Sequence, residues 1–296
     1  MTFDDPMTFD YGVFTTRNIG FITRAEQDRL RAGAVFVAGV GGMGGACLAS
    51  LARAGVGRLA IADIDHFEVS NLNRQVFSSL DTIGQDKAAA SAAAIRRINP
   101  QVELEVFGAE WTTRLSDIAA RYPVIVNGCD DVAATVQLYR VAREAGASVI
   151  DAYASPLPSV TMVRPPAPRP EDRLGYPTRG KAWDQLTEVE TRGAFLKELE
   201  YVLTHSSAAF HVDLEAAAEM AAGKRSRMSF APMVITTGNL MAYEALQAVM
   251  GRRSRTDHRG WFLNPYRPRI ERPLPAPVAA AKGLLVRRFM ARMMAG

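Results

Sequence analysis

Short apolar runs alternate with small-residue or amphipathic stretches through the first half of the chain. Residues 34–40, 58–63, 102–107, 124–127 and 148–151 read as five strands. Residues 23–33, 42–54, 84–98, 112–121 and 131–145 read as the helices between them. A fully apolar run such as 34–40 suits a strand buried on both faces of a parallel sheet. Punctuation supports the boundaries. Thr23 and Glu26 form a capping-box pair, Gly33, Gly55 and Gly146 stand at helix ends, and Asn99-Pro100 stops the alanine-rich helix. The alternation predicts an α/β fold, a doubly wound, mostly parallel sheet with helices on both faces.

After Asp151 the rhythm breaks. Residues 160–163 read as one more strand, and residues 155–180 are too rich in proline and basic residues to continue it. Helical periodicity returns over 183–203 and 206–222. It returns again over 232–250, where Met233, Leu240, Tyr243, Leu246 and Val249 are spaced for one apolar face. Short strands are expected around Asn264-Pro265, and residues 279–294 read as an amphipathic helix with arginines on its polar face. The expected divisions are an N-terminal arm and helix (1–33, with 1–10 poorly ordered), a nucleotide-binding domain (34–163), a crossover and helical substrate-side segment (164–230), and a C-terminal helix, strands and basic helix (231–296).

Composition narrows the class without naming the chemistry. The chain has 296 residues, 48% hydrophobic and 22% charged, with no uninterrupted apolar run of membrane-spanning length. The acidic N-terminus lacks the basic flank and apolar core of a secretory signal. Cys47 and Cys129 alone cannot build a disulfide framework or a thiolate zinc site, so a reducing, cytoplasmic setting is expected. The net charge of +4 conceals a basic tail: residues 251–296 hold 11 Lys and Arg against Asp257 and Glu271. Such a tail suits RNA, an acidic peptide or an anionic membrane surface, or simply solubility. No aromatic interleaving or nucleic-acid motif accompanies it.

Candidate chemistry begins at the glycine-dense turn after the first strand. Gly39-x-Gly41-Gly42-x-Gly44 opens a helix whose unpaired N–H groups suit a phosphate, and Asp63 follows 24 residues after Gly39 on the next strand. These features alone equally describe an NAD(P)-binding oxidoreductase. The loop beyond adds Asp65, Asn71, Arg74 and Gln75, and the next helix adds Lys87. Two cations at one mouth suit a triphosphate better than a pyrophosphate. Each taken alone is also explained as a loop salt bridge (Arg74) or a solvated helix residue (Lys87). At the end of the fourth strand Asp130 is the candidate Mg2+ carboxylate, and Asp131 the candidate helix cap.

Gly-x-Gly-Gly-x-Gly, Asp-x-Asp, Ser-Asn-Leu-x-Arg-Gln, Gly-x-x-Lys and the aspartate after strand four resemble, in this order, the ThiF/MoeB/HesA family. These are Rossmann-like adenylate-forming relatives of ubiquitin-activating enzymes. The likeness is close over about residues 15–152 and looser around 232–251, where the family has a dimer helix. The resemblance implies that Asp63 holds the ATP ribose and the 39–44 turn the phosphates. Asn71, Arg74, Gln75 and Lys87 would orient the triphosphate, and Asp130 would hold Mg2+. It also implies a homodimer in which Arg17 reaches the partner's ATP in trans. The activity implied is adenylation of a carboxylate, the C-terminus of a peptide or small ubiquitin-like carrier, with release of pyrophosphate.

Two departures qualify it. The family's zinc-binding Cys-x-x-Cys pairs are missing, so zinc is not expected, and residues 164–228 hold no cysteine to receive the acyl group. Without a thioester relay, the acyl group is expected to pass to an external nucleophile. The crossover, with His205 and His211 near it, is the expected seat of selectivity, though histidines so placed more often serve structure than catalysis. Alternatives left open are a catalytically silent peptide- or partner-binding module, and an enzyme acting on an RNA-borne carboxylate.

Overall fold

The computed structural model describes residues 8–221 and 223–295. Asp10 caps α1 (Tyr11–Thr15), a 3-10 turn spans Thr16–Asn18, and α2 (Arg24–Ala32) opens on the Thr23–Glu26 capping box. There follow β1 (Ala34–Ala38), α3 (Gly42–Ala54), β2 (Arg58–Ala62), α4 (Lys87–Ile98) and β3 (Glu103–Phe107). Next come α5 (Leu115–Arg121), β4 (Val124–Asn127), α6 (Val132–Glu144), β5 (Ser148–Asp151) and β6 (Ser159–Val163). The remainder is α7 (Pro170–Leu174), α8 (Glu188–His205), α9 (Leu214–Ala221), α10 (Ala231–Met250), β7 (Trp261–Asn264), β8 (Arg269–Glu271) and α11 (Ala276–Ala295).

One sheet runs β3-β2-β1-β4-β5-β6-β7-β8. The first five strands pair in parallel, and β6, β7 and β8 extend the sheet antiparallel from β5. Every residue of β1 is buried, as its unbroken apolar run predicts. Its side chains alternate between two cores. Val35 and Val37 meet Leu48 and Leu51 of α3, Ile95 of α4 and Met241 of α10 on one face, while Phe36 and Ala38 meet Ile118 of α5 and Leu138 of α6 on the other. A smaller core of Tyr153, Leu157, Tyr201, Val202 and Phe262 ties α8 to the antiparallel edge. Strand order reverses between β1 and β4, so a crevice opens beyond their C-terminal ends.

The departures from the pattern-based elements have identifiable causes, most of them local. The helix expected from Gly84 starts at Lys87, because Gly84 has φ +81° and the Asp86 side chain caps the amide of Ala89. The helix expected over 112–121 shortens to α5, preceded by a 3-10 turn, Ala109–Thr112. The helix expected over 183–203 begins at Glu188, behind a second capping box of Thr187 and Glu190. Residues 206–213 leave the expected 206–222 helix: Ser206 Oγ donates to the Val202 carbonyl, and Ser207 donates through N and Oγ to Glu271. Inside the proline-rich stretch, Pro170 at the first position and left-handed Gly175 at the end enclose the short helix α7.

In α10 the buried face is rotated from the expected one. Val234, Gly238, Met241, Ala242 and Ala245 are buried, whereas Tyr243 is 68% exposed. Small residues let α10 lie close on α3, an approach that large apolar side chains would prevent. Of residues 1–10, expected to be poorly ordered, 1–7 lie outside the described residues.

Candidate nucleotide site

The turn between β1 and α3 is shaped by contacts that only glycine permits. Gly39 has φ +81°, and a Cβ there would stand 2.7 Å from the carbonyl carbon of Gly128, at the exit of β4. A Cβ on Gly44 would stand 1.8 Å from the Gly39 carbonyl oxygen. Gly41, the N-cap of α3, supplies no side-chain cap to the first amides of the helix, and Gly41 and Gly42 line the crevice. Asp63 fixes the turn from the side: its Oδ2 accepts from Val40 N at 2.8 Å and its Oδ1 from Asp65 N at 3.0 Å. Burial raises the Asp63 carboxyl above the usual carboxylate range, against the lowering effect of these two bonds and of Lys87.

The polar loop after β2 folds back over the turn. Lys87, buried at the start of α4, donates from Nζ to Asp65 Oδ2 at 3.0 Å. The Asn71 side chain accepts from Glu68 N at 3.1 Å and closes the 3-10 turn Val69–Asn71. Arg74 donates to the Ser70 carbonyl at 2.8 Å and to Asn73 Oδ1 at 2.9 Å, so it belongs to its own loop rather than to a salt bridge. Gln75 is buried with its amide beside Gly41, and its Oε1 has no hydrogen-bond partner among the described residues. A buried acceptor left without a donor costs about 1–3 kcal/mol, which marks this edge of the turn as a place for a ligand's donor.

At the end of β4 the two neighbouring aspartates part. Asp131 Oδ1 caps α6 by accepting from Ala134 N at 2.6 Å. The Asp130 carboxylate is exposed to the crevice and has no ion-pair partner among the described residues, while its carbonyl accepts from Arg227 at 2.9 Å. Among the described residues no group of three or more His, Cys, Asp or Glu is gathered to cage a metal. One free carboxylate beside a phosphate cradle nevertheless fits Mg2+, which is held by one or two carboxylates together with phosphate oxygens. Cys47 is fully buried and Cys129 half-buried. Burial raises both thiols far above neutrality, and at Cys129 the carboxylates of Asp63, Asp130, Asp151 and Asp131 add to it.

These side chains line a single cavity of 1240 Å3. Gly39, Gly41 and Gly42 form its floor, with Asp63, Asp65, Asn71, Arg74, Gln75, Lys87 and Asp130 around it. Gly44 supports the floor from beneath. Arg17 is elsewhere: it is exposed on the 3-10 turn after α1, a turn tied to Ala54 at the far end of α3 through Asn18. His205 is structural, its Nδ1 accepting from Leu274 N at 3.0 Å. Burial, then Arg259, Arg173 and Lys282, holds its pKa down at about 4. His211 lines the cavity wall, stacked on Tyr266 at 4.4 Å.

Pattern reasoning missed two features. The cavity continues past the phosphate end between α8, α9 and α11, and Arg227 stands where the two parts meet. Neither leaves a local signal, because Arg227 is one of several basic residues in the loop 223–230 and faces Asp130 only through the fold.

Comparison with known proteins agrees with this fold. The model of the ThiF family matches residues 15–281. A sulfur carrier protein adenylyltransferase of Thermus thermophilus is 35% identical over 106 residues, 36% of this chain and 39% of that protein. The adenylyltransferase and sulfurtransferase MOCS3 of Mus musculus is 42% identical over 110 residues, 36% of this chain and 23% of that protein. The chain thus spans well under half the length of these curated relatives. Among solved structures, E. coli MccB with ATP superposes with a TM-score of 0.61 at 16% identity, over 84% of this chain and 66% of that one.

Proposed function

The chain belongs to the ThiF family, and from that membership and the cavity we propose that it is an ATP-dependent adenylyltransferase that activates a carboxylate. One observation carries this reading: the glycine turn, Asp63, the Lys87–Asp65 pair, Arg74 and the free Asp130 carboxylate converge on one cavity at the switch point of the sheet. The amides at the start of α3 would receive phosphate oxygens, and Asp63 keeps lone pairs beyond its two backbone bonds for the ribose hydroxyls. Arg74 and Lys87 would counter the triphosphate charge, with Asn71 and Gln75 orienting it. Asp130 would hold Mg2+, whose chemistry is to neutralise phosphate charge. A carboxylate oxygen attacks the α-phosphorus, the bond from that phosphorus to the bridging oxygen breaks, and pyrophosphate leaves with the electron pair. An acyl-adenylate remains. Positioning and charge neutralisation carry the rate, and no protein nucleophile is needed.

The substrate we favour is the C-terminus of a peptide or of a small ubiquitin-like or sulfur-carrier protein, the class named in the Thermus relative. The raised thiols of Cys47 and Cys129 support direct transfer to an external nucleophile over a thioester relay. We read the enzyme as a cytoplasmic homodimer with Arg17 acting on the partner's ATP. The test is carboxylate-dependent exchange of labelled pyrophosphate into ATP. Asp130→Ala and Arg74→Ala are expected to lower exchange by about a hundredfold or more with the fold intact. NAD binding without ATP binding would overturn the reading, and tight peptide binding without exchange would make the protein a silent binding module.

A further inference from the structure

The cavity is larger than one nucleotide requires. Ligand pockets commonly enclose about 300–1,000 Å3, and this one encloses 1240 Å3. Its two parts differ in chemistry. The part over the glycine turn is polar, as described above. The part between α8, α9 and α11 is lined by Leu196, Leu199, Leu203, Val212, Met220 and Met290. Arg227 stands at the junction. Its Nη2 donates to the Asp130 carbonyl at 2.9 Å, which places it at the phosphate end, and its guanidinium lies 5.5 Å from the centre of the Phe195 ring of α8, which places it at the apolar arm. The other Lys and Arg of the lining are engaged on the far side, Lys87 with Asp65 and Arg74 with its own loop.

We propose that the apolar arm holds the body of the acyl substrate and that Arg227 receives its carboxylate, so that the enzyme selects a carboxylate carried on an apolar group. This rests on the adenylation reading. A carboxylate approaching a triphosphate meets like charge, and a cation at the point of approach offsets the repulsion. Among the described residues the one hydrogen bond of the Arg227 guanidinium goes to the Asp130 carbonyl, and its remaining N–H donors can pair with a carboxylate. Beyond that point the six named side chains offer no hydrogen bond to a polar body, with His211 and Tyr266 the polar groups beside them, and burying such a body against the apolar side chains would leave its groups unsatisfied. The apolar group comes either from a linear acyl chain or from bulky C-terminal residues of a peptide.

The full-length chain is titrated with a fluorescent probe, 11-(dansylamino)undecanoic acid, and with its methyl ester, while ATP binding is followed separately by calorimetry. The acid is expected to bind with a blue-shifted emission and the ester about tenfold or more weakly, the loss of one charged hydrogen-bonding pair. Arg227→Ala should weaken the acid to the level of the ester, leave the ester unchanged, and recover in part as Arg227→Lys. Leu203→Gln should weaken both. ATP affinity should survive in every variant, which also shows that each is folded. Equal binding of acid and ester, indifference to Arg227→Ala, or no probe binding overturns the proposal.

Competition identifies the source. Displacement by a peptide ending in Leu-Phe assigns the arm to a peptide terminus, and displacement by linear acids alone assigns it to an acyl chain. Equal displacement by a peptide ending in Ser-Gly overturns the apolar requirement. Failure to bind ATP while the probe still binds would sink the adenylation reading and leave the arm.

Discussion

Each carboxylate oxygen of Asp63 accepts a backbone N–H, from Val40 on one side and Asp65 on the other, so one side chain ties the glycine turn to the loop after β2. Asn in its place has one acceptor oxygen and a donor amide, and one of the two N–H groups must lose its partner. Asp63→Asn is expected to cost about 1–3 kcal/mol, read from urea unfolding, and to weaken ATP binding in calorimetry; wild-type values in both would remove its proposed role. Glu198 gives a pH signature. Its carboxylate accepts from Ala154 N at 2.9 Å beside a 40 Å3 cavity. Burial and then Asp151 push its pKa up to about 7, with the Ala154 hydrogen bond, then Arg227 and Arg173, pulling the other way. Below its unfolded pKa of 4.5 the group is protonated in both states. As pH rises from there towards 7 the unfolded chain ionises first, so stability falls, and above 7 the deficit is constant. Glu198→Gln keeps the acceptor and removes the titration. Its Tm advantage over wild type should grow from pH 4.5 to 7 and then level off, and a difference independent of pH would refute the assignment.

At the level of elements, local signals fared best where a cap or a glycine sets the boundary. The Thr23–Glu26 box, Gly55 at φ +88° and the Asp131 cap stand as the sequence predicts. The face of α10 did not follow from its large apolar residues, because the contact with α3 is built on small ones. A Cβ on Gly238 would stand 2.4 Å from the Met43 carbonyl oxygen and 2.7 Å from Ala46 Cβ. Gly238→Ala gains about 1 kcal/mol in helix propensity, yet two close-packed helices must part to admit it, at about 1–3 kcal/mol. The expected outcome is a lower urea midpoint, since backbone contacts this short leave little room to relax. A stabilised variant would mean that α10 sits less tightly on α3. In the opposite direction, a pattern search over 206–222 finds a helix because it cannot see Glu271, 64 residues beyond Ser207, drawing that backbone out of it.

For the whole molecule, Arg17 raises the question of assembly. It lies by the C-terminal end of α3, whose 13 residues put it about 20 Å of helix away from the glycine turn, and it does not line the cavity of its own chain. If it acts, it acts on a second copy. Arg17→Ala and Asp130→Ala subunits, each inactive alone, should recover a fraction of pyrophosphate exchange when mixed, because one hybrid site then holds both groups. No recovery in heterodimers verified by mass spectrometry would return Arg17 to a structural role in the N-terminal arm. Strand β7 matters at this scale too, since it extends the same sheet and its Phe262 packs with Tyr201 and Val202 of α8.

The sequence by itself determined the parallel half of the sheet, the glycine turn and nearly every polar side chain around it. Those features are encoded over short separations, in strand periodicity, glycine placement and caps, and in the order of short motifs along the chain. Tertiary structure alone decided which face of α10 is buried, that Lys87 is withdrawn from solvent onto Asp65, and that the cavity continues into an apolar arm with Arg227 at its entrance. Asp130 and Arg227 are 97 residues apart. Contacts at that separation follow from packing, where small residues set how closely helices approach, and no local pattern of apolar and polar positions records them.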